Sequence, residues 1–412
     1  MKNLLFVDDE PKVLQGLQRQ LYGMRAEWKM HFADSGPRAL ELMVTTPMDA
    51  VVTDMMMPGM DGAQLLLEVM GRHPNTIRIV LSGHADREAI LRLVGPAHQY
   101  LSKPCNAEEL HSAINRAFSL RNLLDNEQLK QLANCIHSLP VIPQLYNQLT
   151  EELLKDEPSV QRIGDIISKD IGMTSKIIQL VNSAFFGLPQ PISNAYEAVM
   201  YLGLATVRAL VLSLQVFKQF EQKNIKGFSI DGLAEHSWMV GVLAHRIAEA
   251  EHCDAKVNDQ CFLAGLLHDI GQLILASGLP DQYANVLESA RLHNQSIWEA
   301  EQTAFGASHA ELGGYLLGLW GLPNPVTEAV ALHHRPVVVA VGGGFSPVIA
   351  VHVANAFTHD RTGTHPEWPG NKINMEHLAQ LGLAERVEIW RSACFKNDKN
   401  PPRPGTDRNV NE

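Results

Sequence analysis

The stretch DAVVTDMMMPGMDG, residues 49–62, decides how the first part of the chain folds. Its apolar run at residues 50–52 is typical of a short buried strand in a parallel sheet. The strand should end at Asp54, because a Pro-Gly turn follows at residues 58–59. Ligands bind at the carboxyl ends of strands in open α/β sheets, so a carboxylate there is well placed for chemistry. Taken alone, such an aspartate is more often a helix cap or a turn residue, and its surroundings must decide.

Strand and helix patterns alternate on both sides of this stretch, over residues 1–120. Apolar runs that predict strands lie at residues 3–9, 30–33, 50–54, 77–82 and 99–101. Each is followed by a helical pattern, at residues 13–21, 38–43, 63–70, 87–94 and 108–120. This alternation predicts an α/β doubly wound fold with a five-stranded parallel sheet.

Polar side chains stand at the ends of these predicted strands, namely Asp8, Asp9, Asp54, Ser82 and Lys103. Because parallel strands point the same way, we expect these side chains to converge at one edge of the sheet. Three carboxylates repel one another unless a cation lies among them, and an all-oxygen site suits Mg²⁺. A hydroxyl and an ammonium group opposite them would bind the oxygens of a phosphoryl group. The sequence therefore predicts a carboxylate that accepts phosphate with the help of a metal.

These motifs resemble those of the receiver domain of two-component response regulators. The matching segments follow the family order and spacing, and they are DDE at 8–10, TDMMMPGMDG at 53–62, VLSGHAD at 80–86 and YLSKPC at 100–105. The resemblance implies that Asp54 is the phosphoacceptor and that a sensor histidine kinase is the partner that phosphorylates it.

The resemblance also implies roles for the neighbouring residues. The magnesium ligands would be Asp8, Asp9, Asp54 and the backbone carbonyl of Met56. The side chains in contact with the phosphoryl oxygens would be those of Ser82 and Lys103. Tyr100 matches the aromatic switch position, and Lys103–Pro104 matches a peptide bond that is usually cis in the family.

Residues 118–134 carry leucines at helical spacing and contain neither Gly nor Pro, which predicts that the last receiver helix continues into a helical linker. A continuous helix could transmit a rotation, or pair with a second copy of the chain in a homodimer as a short coiled coil. It could equally lie on the next domain, and the sequence leaves these interpretations open.

From residue 139 to residue 357 the patterns are helical, and the histidines are concentrated in the second half of this region. His268 is followed directly by Asp269 within an apolar helix, where neighbouring positions lie about 100° apart. Their imidazole and carboxylate groups could bind one cation together with His236, as in a buried site that activates water. The alternative is that they form hydrogen bonds inside the core.

The spacing of His236, His268–Asp269 and the later histidines resembles that of the HD superfamily of metal-dependent phosphohydrolases. Over a longer span the chain resembles the HDOD domain, an HD-related output module. The segments that carry this resemblance are LPVIP, VNSAFFG, LLHDIG, SHAELG and LHH. The resemblance implies an all-α HD-like domain that has lost catalysis in most members. His309 and His334 match second-metal positions in the cyclic-dinucleotide phosphodiesterase branch of the superfamily, but the Gly-Tyr-Pro signature of that branch is absent and the sequence reads HHRPVVV instead. Asn355 stands where the superfamily has its final Asp, so a divalent metal would meet one negative charge fewer.

The patterns together predict five segments. They are a receiver domain (1–120), a helical linker (121–138), an HDOD domain (139–357), a C-terminal loop and helix (358–397, with the helix near 375–394) and a disordered tail (398–412). The favoured function is a response regulator that signals through a non-catalytic HDOD domain to a downstream protein that the sequence does not identify. The alternative is a phosphorylation-gated, metal-dependent phosphohydrolase that acts on a cyclic nucleotide.

Composition narrows the class of protein further. The 412 residues are 45% hydrophobic and 19% charged, which is typical of globular domains. The net charge of −11 argues against DNA as a partner, since non-specific binding needs clustered Lys and Arg. No apolar run approaches the ~18–20 residues of a membrane span, and the first residues lack the pattern of a signal peptide. The five scattered cysteines suit a reducing compartment, so we expect a cytoplasmic protein.

Overall fold

The apolar runs of residues 1–120 form the five strands of one sheet in the computed structural model. The strands are β1 (Lys2–Val7), β2 (Trp28–Ala33), β3 (Ala50–Asp54), β4 (Ile77–Ser82) and β5 (Gln99–Ser102). Their order is β2-β1-β3-β4-β5, and every pairing is parallel. This confirms the predicted doubly wound fold, in which crossover helices cover both faces of the sheet.

The structure describes the chain except for residues 83–95, 122–123, 125, 137–138, 183–187, 189, 214–217, 220–224, 226, 337–343, 363–371 and 396–412. The helix predicted near 87–94 and the tail predicted at 398–412 therefore lie outside the described residues. The helices described beside the sheet are α1 (Pro11–Gln20), α2 (Gly36–Thr45), α3 (Gly62–Arg72) and α4 (Ala107–Arg121).

Alternate residues of each strand enter two different cores. Leu4 and Phe6 of β1 pack with α1 and α4, whereas Leu5 and Val7 pack with α2 and α3. Because both faces are covered, β3 is buried along its whole length, as its unbroken apolar run predicts. The sheet is therefore a rigid support for the side chains at its carboxyl edge.

The predicted continuous helix after residue 120 is wrong. A new helix, α5 (Glu127–Cys135), begins at Asn126, whose backbone is extended. The Asn126 side chain accepts hydrogen bonds from the backbone N–H groups of Gln128 (2.8 Å) and Leu129 (3.2 Å). Such an N-cap satisfies backbone donors that a continuous helix would bond internally. Helix α5 lies on the helical region that follows, which is the second interpretation that the sequence left open.

The rest of the described chain is helical, apart from a two-residue parallel pairing between β6 (Pro140–Val141) and β7 (Lys218–Gln219) that the sequence did not predict. Its helices are α6 (Pro143–Leu153), α7 (Val160–Ser168), α8 (Ile171–Val181), α9 (Ala195–Leu202), α10 (Leu204–Ser213), α11 (Ile230–Ala250), α12 (Ala255–Leu267), α13 (Ile270–Gly278), α14 (Pro280–His293), α15 (Ile297–Phe305), α16 (His309–Leu319), α17 (Asn324–Leu332), α18 (Pro347–Thr362), α19 (Met375–Gln380) and α20 (Arg386–Phe395).

The single helix predicted near residues 375–394 is two helices, α19 and α20. Gly382 separates them with a φ of 72°, a left-handed conformation that glycine adopts without steric cost. The second helix is anchored to the end of α11, because Trp390 Nε1 and Arg386 Nε both donate to Glu251 Oε1 at 2.7 Å.

The expectation that no apolar run approaches the length of a membrane span is wrong for one stretch, Ala255–Gly278, which is long and apolar enough by length and composition. However, 78% of its most apolar window is buried inside the molecule, as in the core helices of globular domains. The stretch is also broken at residues 268–269, between α12 and α13.

Candidate functional site

The carboxyl edge of the sheet brings together two of the predicted acids and the predicted lysine. Asp8 follows β1, Asp54 ends β3 and Lys103 follows β5. The Nζ atom of Lys103 lies 2.6 Å from Asp8 Oδ2 and 2.5 Å from Asp54 Oδ1. Burial lowers the pKa of Lys103, but its hydrogen bonds to Asp54 and Asp8 outweigh this and raise the pKa above its usual value. The lysine is therefore a cation shared by two carboxylates.

Backbone groups hold these carboxylates in place. Asp8 Oδ1 accepts from the backbone N–H of Glu10 at 2.9 Å, and Asp54 Oδ2 accepts from that of Met56 at 3.0 Å. Gly62 begins α3 so close to the backbone of Asp54 that a Cβ atom there would clash with the Asp54 carbonyl. A glycine is therefore needed to bring α3 against the end of β3.

The other predicted receiver residues lie around this edge. Asp9 is half-buried beside Asp8, and Tyr100 is buried on β5. Ser82 ends β4, where its backbone pairs with Ser102, but its side chain lies outside what the structure describes. The Lys103–Pro104 bond is cis, as the resemblance implies. The aspartate oxygens at this edge are the hard donors that Mg²⁺ prefers, so the residues present fit that ion.

A second candidate site lies in the helical region, where five histidines surround Asp269. Asp269 Oδ1 lies 3.1 Å from His309 Nε2 and 3.8 Å from His333 Nε2. Asp269 Oδ2 lies 3.2 Å from His268 Nε2 and 3.8 Å from His236 Nε2. His334 joins the group through its Nε2 atom, 2.9 Å from that of His309. The candidate ligands thus form two groups that share Asp269.

Close helix crossings assemble this histidine cluster. A Cβ atom on Gly265 of α12 would lie 2.7 Å from Gly241 Cα of α11, so only glycines let these helices approach. A Cβ atom on Gly271 of α13 would clash with the backbone carbonyl of His309 in the same way. Backbone contact therefore holds α11 against α12 and α13 against α16, the helices that carry or adjoin the residues of the cluster.

The His268–Asp269 pair does not lie within a continuous helix, as the sequence predicted, but at the junction of α12 and α13. Asp269 leaves the helical conformation, with φ −99° and ψ 13°, and occupies the N-cap position of α13. This break turns the carboxylate toward the imidazoles instead of leaving it about 100° away around a helix.

The ring orientations are those of metal ligands. His268 Nδ1 donates to the carbonyl of Gly265 at 2.7 Å, and His333 Nδ1 donates to that of Val330 at 2.8 Å. Their Nε2 atoms face Asp269, are buried, and have no hydrogen-bond partner among the described residues. Histidine ligands commonly donate the second ring N–H to a carbonyl or carboxylate in this way. The cluster therefore fits a divalent ion of the kind that imidazoles bind, and His309 also lies at hydrogen-bond distance from Asp269 and His334.

The pKa values of the cluster reflect burial and mutual charge. Burial raises the pKa of Asp269, but His268 and His309 outweigh this and hold it well below its usual value. Burial lowers the pKa of His309, whereas Glu301 and Asp269 together raise it to about 10. Burial and the neighbouring imidazoles hold the pKa values of His333 and His334 well below the usual range. Without a metal, the carboxylates therefore keep a proton on His309.

Asn355 lies on α18, which packs on α11, α12 and α17, the helices next to the cluster. Its side chain is buried, and its Oδ1 atom has no hydrogen-bond partner among the described residues. One turn earlier on the helix, His352 donates from Nδ1 to the carbonyl of His333 and accepts at Nε2 from the N–H of Asn374. His352 is therefore a structural histidine, and the role of Asn355 as a ligand stays a prediction.

Three residues of this site were missing from the sequence prediction. His333 belongs to the cluster, and its only signal was its position next to His334. The ring of Trp298 stacks on that of His334, with centroids 5.5 Å apart. Glu301 binds His309 from the other side, and nothing in its local sequence distinguishes it from a surface acid.

The chain matches two family models. Residues 4–115 match the response regulator receiver domain, and residues 139–336 match the HDOD domain. A signal receiver domain of an HD domain-containing protein from Pseudomonas fluorescens Pf-5 is 32% identical over 29% of this chain and 97% of that chain, with a TM-score of 0.28. The MmoQ response regulator from Methylococcus capsulatus is 20% identical over 63% and 98%, with a TM-score of 0.48.

Curated relatives match parts of the chain. An uncharacterized protein from Treponema pallidum is 27% identical over 54% of this chain and 43% of its own length. The DNA-binding transcriptional regulator NtrC from Escherichia coli is 32% identical over 27% of this chain and 24% of its own length. The chain therefore spans less than half the length of these relatives. The chain therefore carries a receiver domain at residues 4–115 and an HDOD domain at residues 139–336, a combination that fits a response regulator.

Proposed function

We propose that this chain is a cytoplasmic response regulator that a sensor histidine kinase switches by phosphorylating Asp54, and that the HDOD domain passes the signal on without catalysis. The observation that carries the proposal is the pairing of Lys103 Nζ with both Asp8 and Asp54 at the carboxyl edge of the sheet. A nucleophilic carboxylate beside a fixed cation and a second acid is the arrangement that phosphoryl transfer needs.

In the proposed reaction an oxygen of Asp54 attacks the phosphorus of the kinase phosphohistidine, and the bond from phosphorus to the imidazole nitrogen breaks. Mg²⁺, when bound, neutralises charge on the phosphoryl oxygens. Asp8, Asp9 and the carbonyl of Met56 would hold that ion. Lys103 would transfer its contact from the Asp54 carboxylate to a phosphoryl oxygen, because its Nζ atom already lies 2.5 Å from Asp54.

The contacts of β5 support a route from the receiver to the HDOD domain. Gln99, next to Tyr100, donates from Nε2 to the carbonyl of Gly318 on α16 at 3.1 Å. Helix α16 also packs against α4 and α5, and its first residue is His309 of the histidine cluster. A displacement of Tyr100 toward Ser82 would therefore act directly on the helix that contributes to the cluster.

The test is mass analysis of the full chain after treatment with a small phosphodonor. We expect one phosphoryl group, on Asp54, and only when Mg²⁺ is present. Asp54→Asn should abolish incorporation, whereas Asp34→Asn, which changes an exposed acid after β2, should leave it intact. Phosphate on Asp8 or Asp9, or incorporation without a divalent ion, would contradict the proposed role of this edge.

A second candidate function is that of a metal-dependent phosphohydrolase, and the histidine cluster favours it. The Nε2 atoms of His268 and His333 are buried and lie 3.2 and 3.8 Å from the Asp269 oxygens, and such imidazole nitrogens beside a carboxylate are ligands that a divalent metal takes. However, Asn355 is neutral, so a metal there would have a single carboxylate among its predicted ligands. One carboxylate neutralises only part of the charge of a divalent ion, which weakens binding without preventing it. We propose that the centre binds metal and does not turn over substrate.

A further inference from the structure

Glu301 is a carboxylate that the fold buries completely beside the histidine cluster. It lies on α15, and its exposed fraction is 0%. Its Oε2 atom accepts from the backbone N–H of His309 at 2.7 Å and from His309 Nδ1 at 2.6 Å. Its Oε1 atom accepts from the hydroxyl of Tyr283, on α14, at 3.1 Å. Both oxygens are therefore used, and both point toward the core.

The charge of Glu301 needs an explanation, because an isolated carboxylate is costly to bury. Among the described residues, His309 is the only basic group that forms an ion pair with it. Capping of α16 does not explain the charge, since Ser308 and Glu311 already form a capping box at the start of that helix. A neutral glutamine would accept the same backbone hydrogen bond from His309 without the cost of a buried charge.

We infer that Glu301 is a positioning residue of the proposed metal centre, and that it supplies the second buried negative charge that Asn355 lacks. This inference rests on the proposed binding of metal by the cluster. Because Glu301 takes the Nδ1–H of His309, the Nε2 atom of that ring is directed at Asp269, 3.1 Å away. The two carboxylates, one at the centre and one behind His309, would balance the charge of a divalent ion.

The carboxylate also makes His309 a stronger donor. A carboxylate that binds the far N–H of a ligand imidazole raises its basicity and fixes its orientation, and removing it typically weakens metal binding about 10–100-fold. Tyr283 adds one more contact to this series of hydrogen bonds, because its hydroxyl donates to the other carboxylate oxygen of Glu301. The order Tyr283, Glu301, His309, Asp269 is thus a continuous line of buried polar contacts.

The test is titration of the chelator-treated full chain with Co²⁺, followed by visible absorption. We expect Glu301→Gln, which keeps the shape and the hydrogen bond to the His309 N–H, to weaken Co²⁺ binding about 10–100-fold. The visible bands should also shift, because the donor strength of His309 changes. Glu152→Gln is the matched control, since Glu152 is a buried carboxylate paired with Lys155 in another part of the fold. It should leave both the affinity and the bands unchanged.

The double variant Glu301→Gln/Asn355→Asp tests whether Glu301 affects metal affinity through its negative charge or only through its packing and hydrogen bonds. If Glu301 acts through its charge, a carboxylate at position 355 should restore much of the lost affinity, whereas a purely structural role predicts no rescue. Should Glu301→Gln fail to fold, Tyr283→Phe should still weaken Co²⁺ binding several-fold. Unchanged affinity in whichever of these variants folds overturns the role of Glu301 alone. Absence of Co²⁺ binding in the wild-type chain overturns the metal centre itself, and this inference with it.

Discussion

Single residues set the charge of the histidine cluster, and Asn355 is neutral at the position where the resemblance to the HD superfamily implies a carboxylate. A hydrolase needs a metal held firmly enough to lower the pKa of its bound water toward neutrality. Asp269 is the only carboxylate among the candidate ligands of the described cluster, and Glu301 lies behind His309 rather than at the centre. Metal binding without catalysis is therefore the behaviour that we propose for this site.

We expect the wild-type chain to show little or no hydrolysis of cyclic dinucleotides, nucleotides or generic phosphoesters, even with added Mn²⁺. Asn355→Asp should raise the affinity for Mn²⁺ by at least about tenfold, because it adds a negative charge inside a low-dielectric site. Calorimetric titration of both proteins measures the change. Robust wild-type hydrolysis that Asp269→Ala abolishes without unfolding would identify the protein as an enzyme. Equal affinities would show that Asn355 is not a ligand.

Among the secondary-structure elements, α16 connects the two domains. It is buried along its length, and it contacts β5 through Gln99 and α5 through the bond from the Tyr315 hydroxyl to Asn134 Oδ1, 2.9 Å long. Its N-terminal residue is His309. A rigid helix that touches the receiver at one end and the cluster at the other is suited to carry a displacement between them.

Tyr100→Ala should leave phosphorylation of Asp54 nearly intact but remove most of its effect on α5 and α16. The physical reason is that Tyr100 and Gln99 share β5, so the strand loses the ring that would move when Ser82 shifts. Hydrogen exchange of α5 and α16, with and without phosphodonor, measures the effect. Tyr22→Ala, an exposed tyrosine outside this route, is the control. An equal response in wild type and Tyr100→Ala would mean that the signal follows another path.

In the whole molecule, the two domains share one core and a buried polar junction. A single cluster of apolar residues extends from Leu4 of the sheet to Leu316 of α16. Arg78 on β4, which is fully buried, donates to the carbonyl of Pro96 and to that of Asn134 on α5, both at 2.6 Å. This shared interior predicts that the domains unfold together.

We expect a single cooperative unfolding transition in urea, with circular dichroism and tryptophan fluorescence giving the same midpoint. Arg78→Leu should lower the free energy of unfolding by about 2–4 kcal/mol, because buried carbonyls of the receiver domain and of the linker helix α5 lose their donor. Arg72→Leu, which removes an exposed ion pair with Glu68, should cost less than about 1 kcal/mol. Two wild-type transitions, or equal effects of the two substitutions, would contradict the shared junction.

Prediction from sequence was most successful where local pattern and fold geometry agree. The apolar runs predicted all five strands, and the geometry of a parallel sheet then placed Asp8, Asp54 and Lys103 at one edge. The resemblance to the HD superfamily pointed to His236, His268, Asp269, His309 and His334, which the structure brings together. His333 and Glu301 were missed, because a buried ligand and a buried counter-charge have no periodic signal of their own.

The sequence by itself determined the sheet, its acidic edge and the helical character of the second region, because alternation and helical spacing are properties of neighbouring residues. Only the tertiary structure decided the break at Asn126, the junction at His268–Asp269 and the contact of Glu301 with His309. The break depends on α5 packing against another domain, and the junction depends on backbone contact between α13 and α16. Such contacts join residues that are distant along the chain, so the local sequence pattern does not reveal them. Their free energy nevertheless outweighs the local preference for helix.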